Sequence, residues 1–334
     1  MPELRIFSPA DLDAEQRQQI CRRALQLKTK QSPPTPSRLR VGALYFNPSL
    51  RTRASFEQAV SLLGGSCQTL NTSMDTWGLE LDPNAVMDGS AVENIVEAAR
   101  VLGRYFHVLG VRSFRAPGPW SEQRTEPVLS LFAEHAGVPV ISLEGAVHHP
   151  CQSLADLLTL GEHFGEDLAG LPVTLCWSWH PKALPAAVPH SFLLQAALAG
   201  CDLAVAHPPG YELDPQIVAA ASAAASSAGG ALQVHHDRAA ALAGRRVVYV
   251  KSWGPLEVGG PTPEALRSWC IDEEALQGTD QARVMHCLPV RRNVVIAGDV
   301  LDGERSLVVD QAENRLWAQA ALLEWVATSC GALP

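Results

Sequence analysis

Short apolar runs, too brief to be helices, recur along this chain with amphipathic segments between them, and that alternation limits the fold more than any other feature. Arg40 to Phe46 reads as a buried strand, and Asn47 to Leu50 break it. Ala54, Phe56, Val60 and Leu63 then recur at helical spacing until Gly64-Gly65 ends the helix. Val108 to Val111 predicts a strand, Pro127 to His135 a helix, Val138 to Leu143 a strand and Ser153 to Phe164 a helix. Further strands are predicted at Val173 to Trp179, Asp202 to His207, Leu232 to His235, Val247 to Lys251 and Val284 to Leu288, mostly with helical patterns between them. Ile217 to Ala228 and residues 311–327 read as helices, and the proline-bearing stretch 27–38 as a loop. Alternating strands and helices imply parallel sheets flanked by helices, an α/β fold.

A chain of 334 residues has room for two such domains, and the helix after His149-Pro150 is a candidate link between them. The hydrophobic share, 47% against 18% charged, provides for a substantial core. Net charge is −9, which argues against general binding to nucleic acid or to an anionic membrane, though one pocket can still be basic. Met1 to Phe7 does not read as a secretory leader, and no apolar stretch reaches the ~18 residues of a membrane span. The eight cysteines form no C-x-x-C pair, so free thiols in a reducing cytosol are expected. The glycine fingerprints of dinucleotide-binding and P-loop folds are missing, and Gly259-Gly260 reads as a turn.

The chemistry concentrates in Phe46-Asn47-Pro48-Ser49-Leu50-Arg51-Thr52-Arg53-Ala54-Ser55-Phe56-Glu57, between a strand and a helix. The N–H groups that start a helix lack partners within it, and the helix dipole favours an anion there. Ser49 and Thr52 add hydroxyls, and Arg51 adds a planar fork suited to phosphate oxygens. A capped helix with solvent-facing arginines is the plainer reading of so short a motif. Here the motif has company. Arg112, His149-Pro150-Cys151-Gln152 and His286-Cys287-Leu288-Pro289 all follow predicted strands, at the carboxyl ends where open α/β sheets bind ligands. His148 alone reads as structural or solvated, and a lone cysteine such as Cys287 as a small hydrophobe.

In order and spacing, these segments resemble the aspartate/ornithine carbamoyltransferase family over nearly the whole chain. The resemblance implies a carbamoyl phosphate-binding domain at 1–150, an amino-acid-binding domain at 151–310, and a C-terminal helix, 311–334, returning to the first. It implies a homotrimer with active sites at subunit interfaces and no metal or cofactor. Carried over by motif, Ser49, Leu50, Arg51 and Thr52 would hold the phosphate. Arg112 would span phosphate and carbamoyl oxygen, His149 would donate to that oxygen, and Gln152 would hold the carbamoyl nitrogen. Cys287 and Leu288 would line the site, and Arg315 would reach the phosphate side. A neutral amine attacks the carbamoyl carbon while fixed donors stabilise the growing oxyanion, so no covalent nucleophile is needed.

The acceptor is read from smaller signals. The S-M-G loop of the ornithine enzymes is missing, and Lys251-Ser252-Trp253 stands in the comparable place. Asp75 to Glu80, Val86 to Gly89 and Trp177 to Lys182 resemble the N-acylornithine enzymes, in which the tryptophan equivalent to Trp77 reaches the neighbouring subunit's site. Their acetyl-using members tend to carry glutamate, and succinyl-using members proline, where this chain has Val92. A glutamate there would repel a succinyl carboxylate, and valine removes that charge. The plainer reading puts Val92 on a helix face with Ile95, Val96 and Ala99. Glu144, Trp177, Lys182, Lys251 and Arg291 complete the expected acceptor site, and N-succinylornithine is the expected substrate. N-acetylornithine, ornithine and a non-catalytic binding role stay open as alternatives.

Overall fold

The computed structural model describes residues 4–35, 38–72, 74, 77–257 and 260–329. Asp75 and Thr76 of the tryptophan loop, part of the 27–38 loop, Gly259 and the last five residues of the 311–334 segment lie outside them. The chain divides into two compact units, Met1–Cys151 with Arg315–Pro334, and Gln152–Asn314.

The first unit contains, in chain order, β1 (Arg5–Ile6), α1 (Ala14–Lys28), β2 (Arg40–Tyr45), α2 (Leu50–Leu62), β3 (Ser66–Asn71), β4 (Leu79–Glu80), β5 (Glu93–Asn94), α3 (Ile95–Tyr105), β6 (Val108–Arg112), α4 (Trp120–Gln123), α5 (Pro127–His135) and β7 (Val140–Glu144). Helix α6 (Pro150–Phe164) carries the chain out of this unit. The sheet runs β1-β7-β6-β2-β3, parallel throughout, and Leu44, Leu109, Val111 and Val140 join Ile95, Leu129 and Phe132 in its core. Strands buried on both faces read as continuous apolar runs, which is why β2 and β6 are visible in the sequence. The edge strand β3, Ser66 to Asn71, lacks that signal because it is only partly buried. Helix α1 was also not foreseen. Its start is a capping box in which the Gln16 N–H donates to Asp13 and the Asp13 N–H donates back to Gln16, both at 2.8 Å.

The second unit contains β8 (Pro172–Trp177), α7 (Ala187–Leu198), β9 (Asp202–Ala206), α8 (Pro215–Ser227), β10 (Ala231–His235), α9 (Arg238–Leu242), β11 (Val247–Lys251), β12 (Arg283–Met285) and α10 (Gly298–Asp302). Its sheet runs β10-β9-β8-β11-β12, again parallel. Two predicted strands are shorter than expected. β8 stops at Trp177, and β12 stops at Met285, so His286, Cys287 and Leu288 follow the strand. The pairing of β12 with β11 ends at Tyr249–Met285, which leaves those residues to loop geometry.

Helix α11 (Val308–Ser329) returns the chain to the first unit. There Arg23 of α1 grips Glu324 with two guanidinium nitrogens, at 2.5 and 2.9 Å. Among the described residues no helix is long and apolar enough to cross a membrane.

Helices α3 and α5 pack closely because Gly103 carries no side chain. A Cβ there would stand 1.6 Å from the Ala136 carbonyl oxygen, and backbone cannot yield as a flexible side chain can. Gly103→Ala should therefore destabilise the protein by about 2–3 kcal/mol. A urea-unfolding midpoint equal to the wild type would show that the two helices do not meet this closely.

Candidate active site

The first unit brings two loops together at the carboxyl end of its sheet, where the sequence motif is expected to bind an anion. Strand β2 ends at Tyr45, the chain turns through Phe46 to Ser49, and α2 begins at Leu50. Ser49 is the N-cap, its Oγ accepting from the Thr52 N–H at 3.2 Å. The turn is stitched to the neighbouring strand: the Phe46 N–H donates to the Arg112 carbonyl at 2.9 Å, and the Phe114 N–H to Asn47 Oδ1 at 2.7 Å. Asn47 thus positions the loop, a role hidden in the sequence because its partner, Phe114 just past β6, lies far along the chain. Leu50 is exposed at the helix start, and Thr52 is buried. Arg53, the second arginine of the motif, points elsewhere and pairs with Glu57 at 3.0 Å.

Three further groups converge here. Arg315 of α11 donates from Nη2 to Thr52 Oγ1 at 3.0 Å. Tyr45 is buried, and its hydroxyl has no hydrogen-bond partner among the described residues. Burial pushes that hydroxyl's pKa well above its ordinary value, while Arg315 and Arg112 pull the other way, so both charges act at this point. Arg112 lies at the end of β6, where the register with β7 shifts between Val111 and Arg112. Such an irregularity re-aims a side chain. The Arg112 guanidinium bonds Glu144 and stacks 4.4 Å from the Phe114 ring centroid. Glu144 has φ 145°, a conformation rare outside glycine. Its Oε2 lies 3.7 Å from Nε2 of His149, which is only 2% exposed and immediately precedes α6.

Glu126 was not foreseen. It precedes α5 in a left-handed conformation, φ 52°, and accepts N–H bonds from Ala146, Val147 and His148. Burial pushes its carboxyl up to about 7, against those three donors.

In the second unit, Gln152 donates from Nε2 to Asp156 Oδ1 at 2.8 Å, and Gln311 donates to the same oxygen at 2.7 Å. Gln311 in turn accepts the His286 N–H at 2.9 Å. Giving its Nε2 to Asp156 orients the Gln152 amide with Oε1 as the acceptor end. Cys287 is buried, and Leu288 has φ 57° with its N–H on His286 Nδ1 at 2.9 Å. Lys182, Lys251 and Arg291 all act on His180: partial burial lowers that imidazole's pKa, and the three cations lower it further. His180 stands within the Trp177-to-Lys182 segment, and its role as their meeting point is readable only in three dimensions. Trp177 is a core residue, its indole N–H on the Trp253 carbonyl at 2.8 Å and its ring 4.8 Å from Tyr211.

Trp77 and Val92 belong to one excursion of the first unit. The short parallel pair β4–β5 closes its neck, and Asn94 donates to the Asp82 carbonyl at 2.9 Å while its Oδ1 accepts the Val96 N–H and caps α3. Trp77 is 66% exposed and Val92 67%. Helix α3 begins at Ile95, so Val92 is not on its apolar face.

Comparison with known proteins matches residues 5–162 to the carbamoyl-P binding domain of aspartate/ornithine carbamoyltransferases, and residues 175–326 to their Asp/Orn binding domain. The chain is 42% identical over 299 residues to the N-acetylornithine carbamoyltransferase of Xanthomonas axonopodis pv. citri (strain 306), spanning 87% of each chain. It is 35% identical over 274 residues to the N-succinylornithine carbamoyltransferase of Bacteroides fragilis (strain 638R), spanning 81% of this chain and 82% of that one. Among solved structures, a glutamate-to-valine variant of N-acetyl-L-ornithine transcarbamylase, complexed with carbamyl phosphate and N-succinyl-L-norvaline, superposes with a TM-score of 0.91 at 37% identity, covering 96% of this chain and 99% of that one.

The Glu126 carboxyl carries a pH signature. Its pKa is raised from 4.5 to about 7 on folding, so the folded state holds a proton that the unfolded chain releases between those values. Stability from this group therefore falls as pH rises through that window and is regained as pH drops through it. Glu126→Gln removes the proton linkage. Relative to the wild type, the variant should be more stable at pH 8 than at pH 5, in paired urea melts; an identical offset at both pH values would show that Glu126 titrates normally.

Proposed function

This chain belongs to the aspartate/ornithine carbamoyltransferase family, and on that premise we propose how its residues carry out the reaction. It is a carbamoyltransferase acting on an N-acylornithine. In our reading the phosphate of carbamoyl phosphate sits at the start of α2, against the backbone of Leu50, the hydroxyls of Ser49 and Thr52, and the charges of Arg51 and Arg315. Arg112 bridges phosphate and carbamoyl oxygen, and the buried His149 donates to that oxygen. Gln152, whose Nε2 is held by Asp156, offers Oε1 to the carbamoyl N–H. Cys287 and Leu288 line the same site.

The δ-amine attacks the carbamoyl carbon, a C–N bond forms, and charge collects on the oxygen facing Arg112 and His149. The bond to the phosphate oxygen then breaks, and phosphate leaves carrying the electron pair and takes up the proton that the amine sheds. In this reading Glu144, held by Arg112, contributes to the acylornithine side of the site. Stabilising the oxyanion and neutralising the leaving phosphate are where these charges contribute most.

The finer proposal is that the acyl group is succinyl, giving N-succinyl-L-citrulline within arginine biosynthesis in the cytosol. One observation carries it: Val92 places an exposed, uncharged side chain at the neck of the excursion, where acetyl-using relatives tend to have glutamate. The glutamate-to-valine variant of the acetylornithine enzyme, bound to N-succinyl-L-norvaline, supports the same logic. Lys182, Lys251 and Arg291 supply cations for the acyl and α-carboxylates, and Trp177 braces the segment that bears Lys182. N-Acetylornithine is the second reading, favoured by the higher identity to the Xanthomonas enzyme, 42% against 35%. We also propose a homotrimer in which Trp77 enters the neighbouring subunit's site. Its exposure, shared with Met74 and Val86 on the same segment, is the apolar surface that such a contact would cover.

Phosphate release should be fastest with N-succinylornithine when ornithine, its N-acetyl and its N-succinyl derivatives are compared. Val92→Glu should damage succinylornithine use selectively, through an added like charge; faster turnover of acetylornithine by the wild type would overturn the succinyl reading.

Arg51→Ala should weaken carbamoyl phosphate binding by at least about tenfold. Arg51→Ala and Trp77→Ala chains, each impaired alone, should regain partial activity when subunits are exchanged. Verified exchange without recovery would argue against a shared site.

A further inference from the structure

The loop that delivers His149 closes on a carboxylate that the reaction itself does not use. Between β7 and α6 the chain runs Gly145-Ala146-Val147-His148 and turns back on itself, the Gly145 N–H donating to the His148 carbonyl at 2.8 Å. Three N–H groups of this turn converge on Glu126, from Ala146 at 2.8 Å, Val147 at 2.7 Å and His148 at 3.4 Å. Successive N–H groups folded round one anion form a nest, and each charge-assisted bond is stronger than a neutral one. The fit is close: a Cβ on Gly145 would stand 2.3 Å from Glu126 Oε1 and 2.5 Å from Oε2. Glu126 itself is buried and held in a left-handed conformation just before Pro127, so its own backbone is committed to this placement. The four residues between Glu144 and His149 are the length of chain that wraps the carboxylate.

We propose that Glu126 is the positioning residue for His149: by templating the 145–148 turn, it sets where the buried imidazole stands against the carbamoyl oxygen. The inference rests on the reading of His149 as the donor to that oxygen. Two carboxyl oxygens face the three donors, and once ionised, above about pH 7, the group is acceptor-only and suits all three N–H bonds. An amide in its place presents its own N–H groups to some of those donors. Gly145 is needed because any side chain would displace the carboxylate, although its φ lies outside the left-handed region and tolerates alanine.

Two variants attack the contact from opposite sides, Glu126→Gln and Gly145→Ala. In folded protein, verified by circular dichroism and thermal melting, each should lower kcat by about a hundredfold, the scale of a misplaced catalytic group, with KM for carbamoyl phosphate unchanged. The proposed phosphate contacts, from α2, Arg112 and Arg315, come from residues outside the 145–148 turn. In a His149→Ala background, Glu126→Gln should cost little further turnover, because the group it positions is already gone. A merely structural role gives the opposite pattern: losses that multiply in the double variant, or equal damage to kcat and KM. Wild-type turnover in either folded single variant overturns the inference, and if Glu126→Gln does not fold, Gly145→Ala decides alone. Failure of the underlying reading looks different, since His149→Ala would then keep full turnover by itself.

Discussion

A buried guanidinium must be answered by an acceptor, and Arg112 makes that demand at the centre of the first unit. Its partner Glu144 lies on the next strand, and to reach it the two strands lose register and Glu144 takes a conformation that few non-glycine residues adopt. A buried ion pair of this kind is no large net source of stability, since desolvation offsets much of the attraction. Its value is positional. It holds the cation at the sheet's carboxyl end, beside Thr52 and Arg315, where burial would otherwise expel it. Under the proposed reaction, an arriving phosphate shares Arg112 with a carboxylate already in place, which lowers the reorganisation needed at binding.

Each unit places hydrogen-bonded scaffolds behind the side chains proposed to face substrate. In the first, Asn47 ties the α2 loop to the strand after Arg112, and Glu126 nests the turn before His149. In the second, Asp156 collects the amides of Gln152 and Gln311, and Gln311 takes up the His286 N–H next to Cys287. These scaffolds are short, polar and buried. Such networks specify geometry when every member is satisfied. The cations of the second unit are treated differently. Lys182 and Arg291 are exposed and only Lys251 is buried, which suits a site for carboxylates that exchange with solvent.

Under the proposed reading, the missing charge at Val92 sets the acyl preference. The excursion that carries it is anchored by Asn94, which caps α3 with one end of its amide and holds the Asp82 carbonyl with the other. In that reading the acyl preference rests on Val92 and the capping of α3 on Asn94, two separate residues.

Strands buried on both faces announce themselves, so β2, β6, β7, β9 and β11 could be read from apolar runs, and with them the parallel α/β fold. The loop from Phe46 to Thr52 stood out as a candidate anion site for a related reason: a helix N-terminus, hydroxyls and an arginine are local and need no distant partner to be recognised. Arg112, His149 and Gln152 followed because they trail strands, and strand ends are where such sheets bind ligands. What stayed hidden was everything whose meaning depends on contacts distant in sequence. The edge strand β3 carries no apolar run because it is only partly buried. Arg53 is indistinguishable from Arg51 in the motif until the helix turns it toward Glu57. Trp177 has the look of a pocket residue until its indole is seen in the core, bonded to Trp253. Glu126 lies far along the chain from the turn it holds, and nothing in its neighbourhood marks it. Local sequence determines which backbone segments can bind an anion; only the packed structure decides which buried charges stand behind them, because those pairings join strands and loops that the chain order keeps apart.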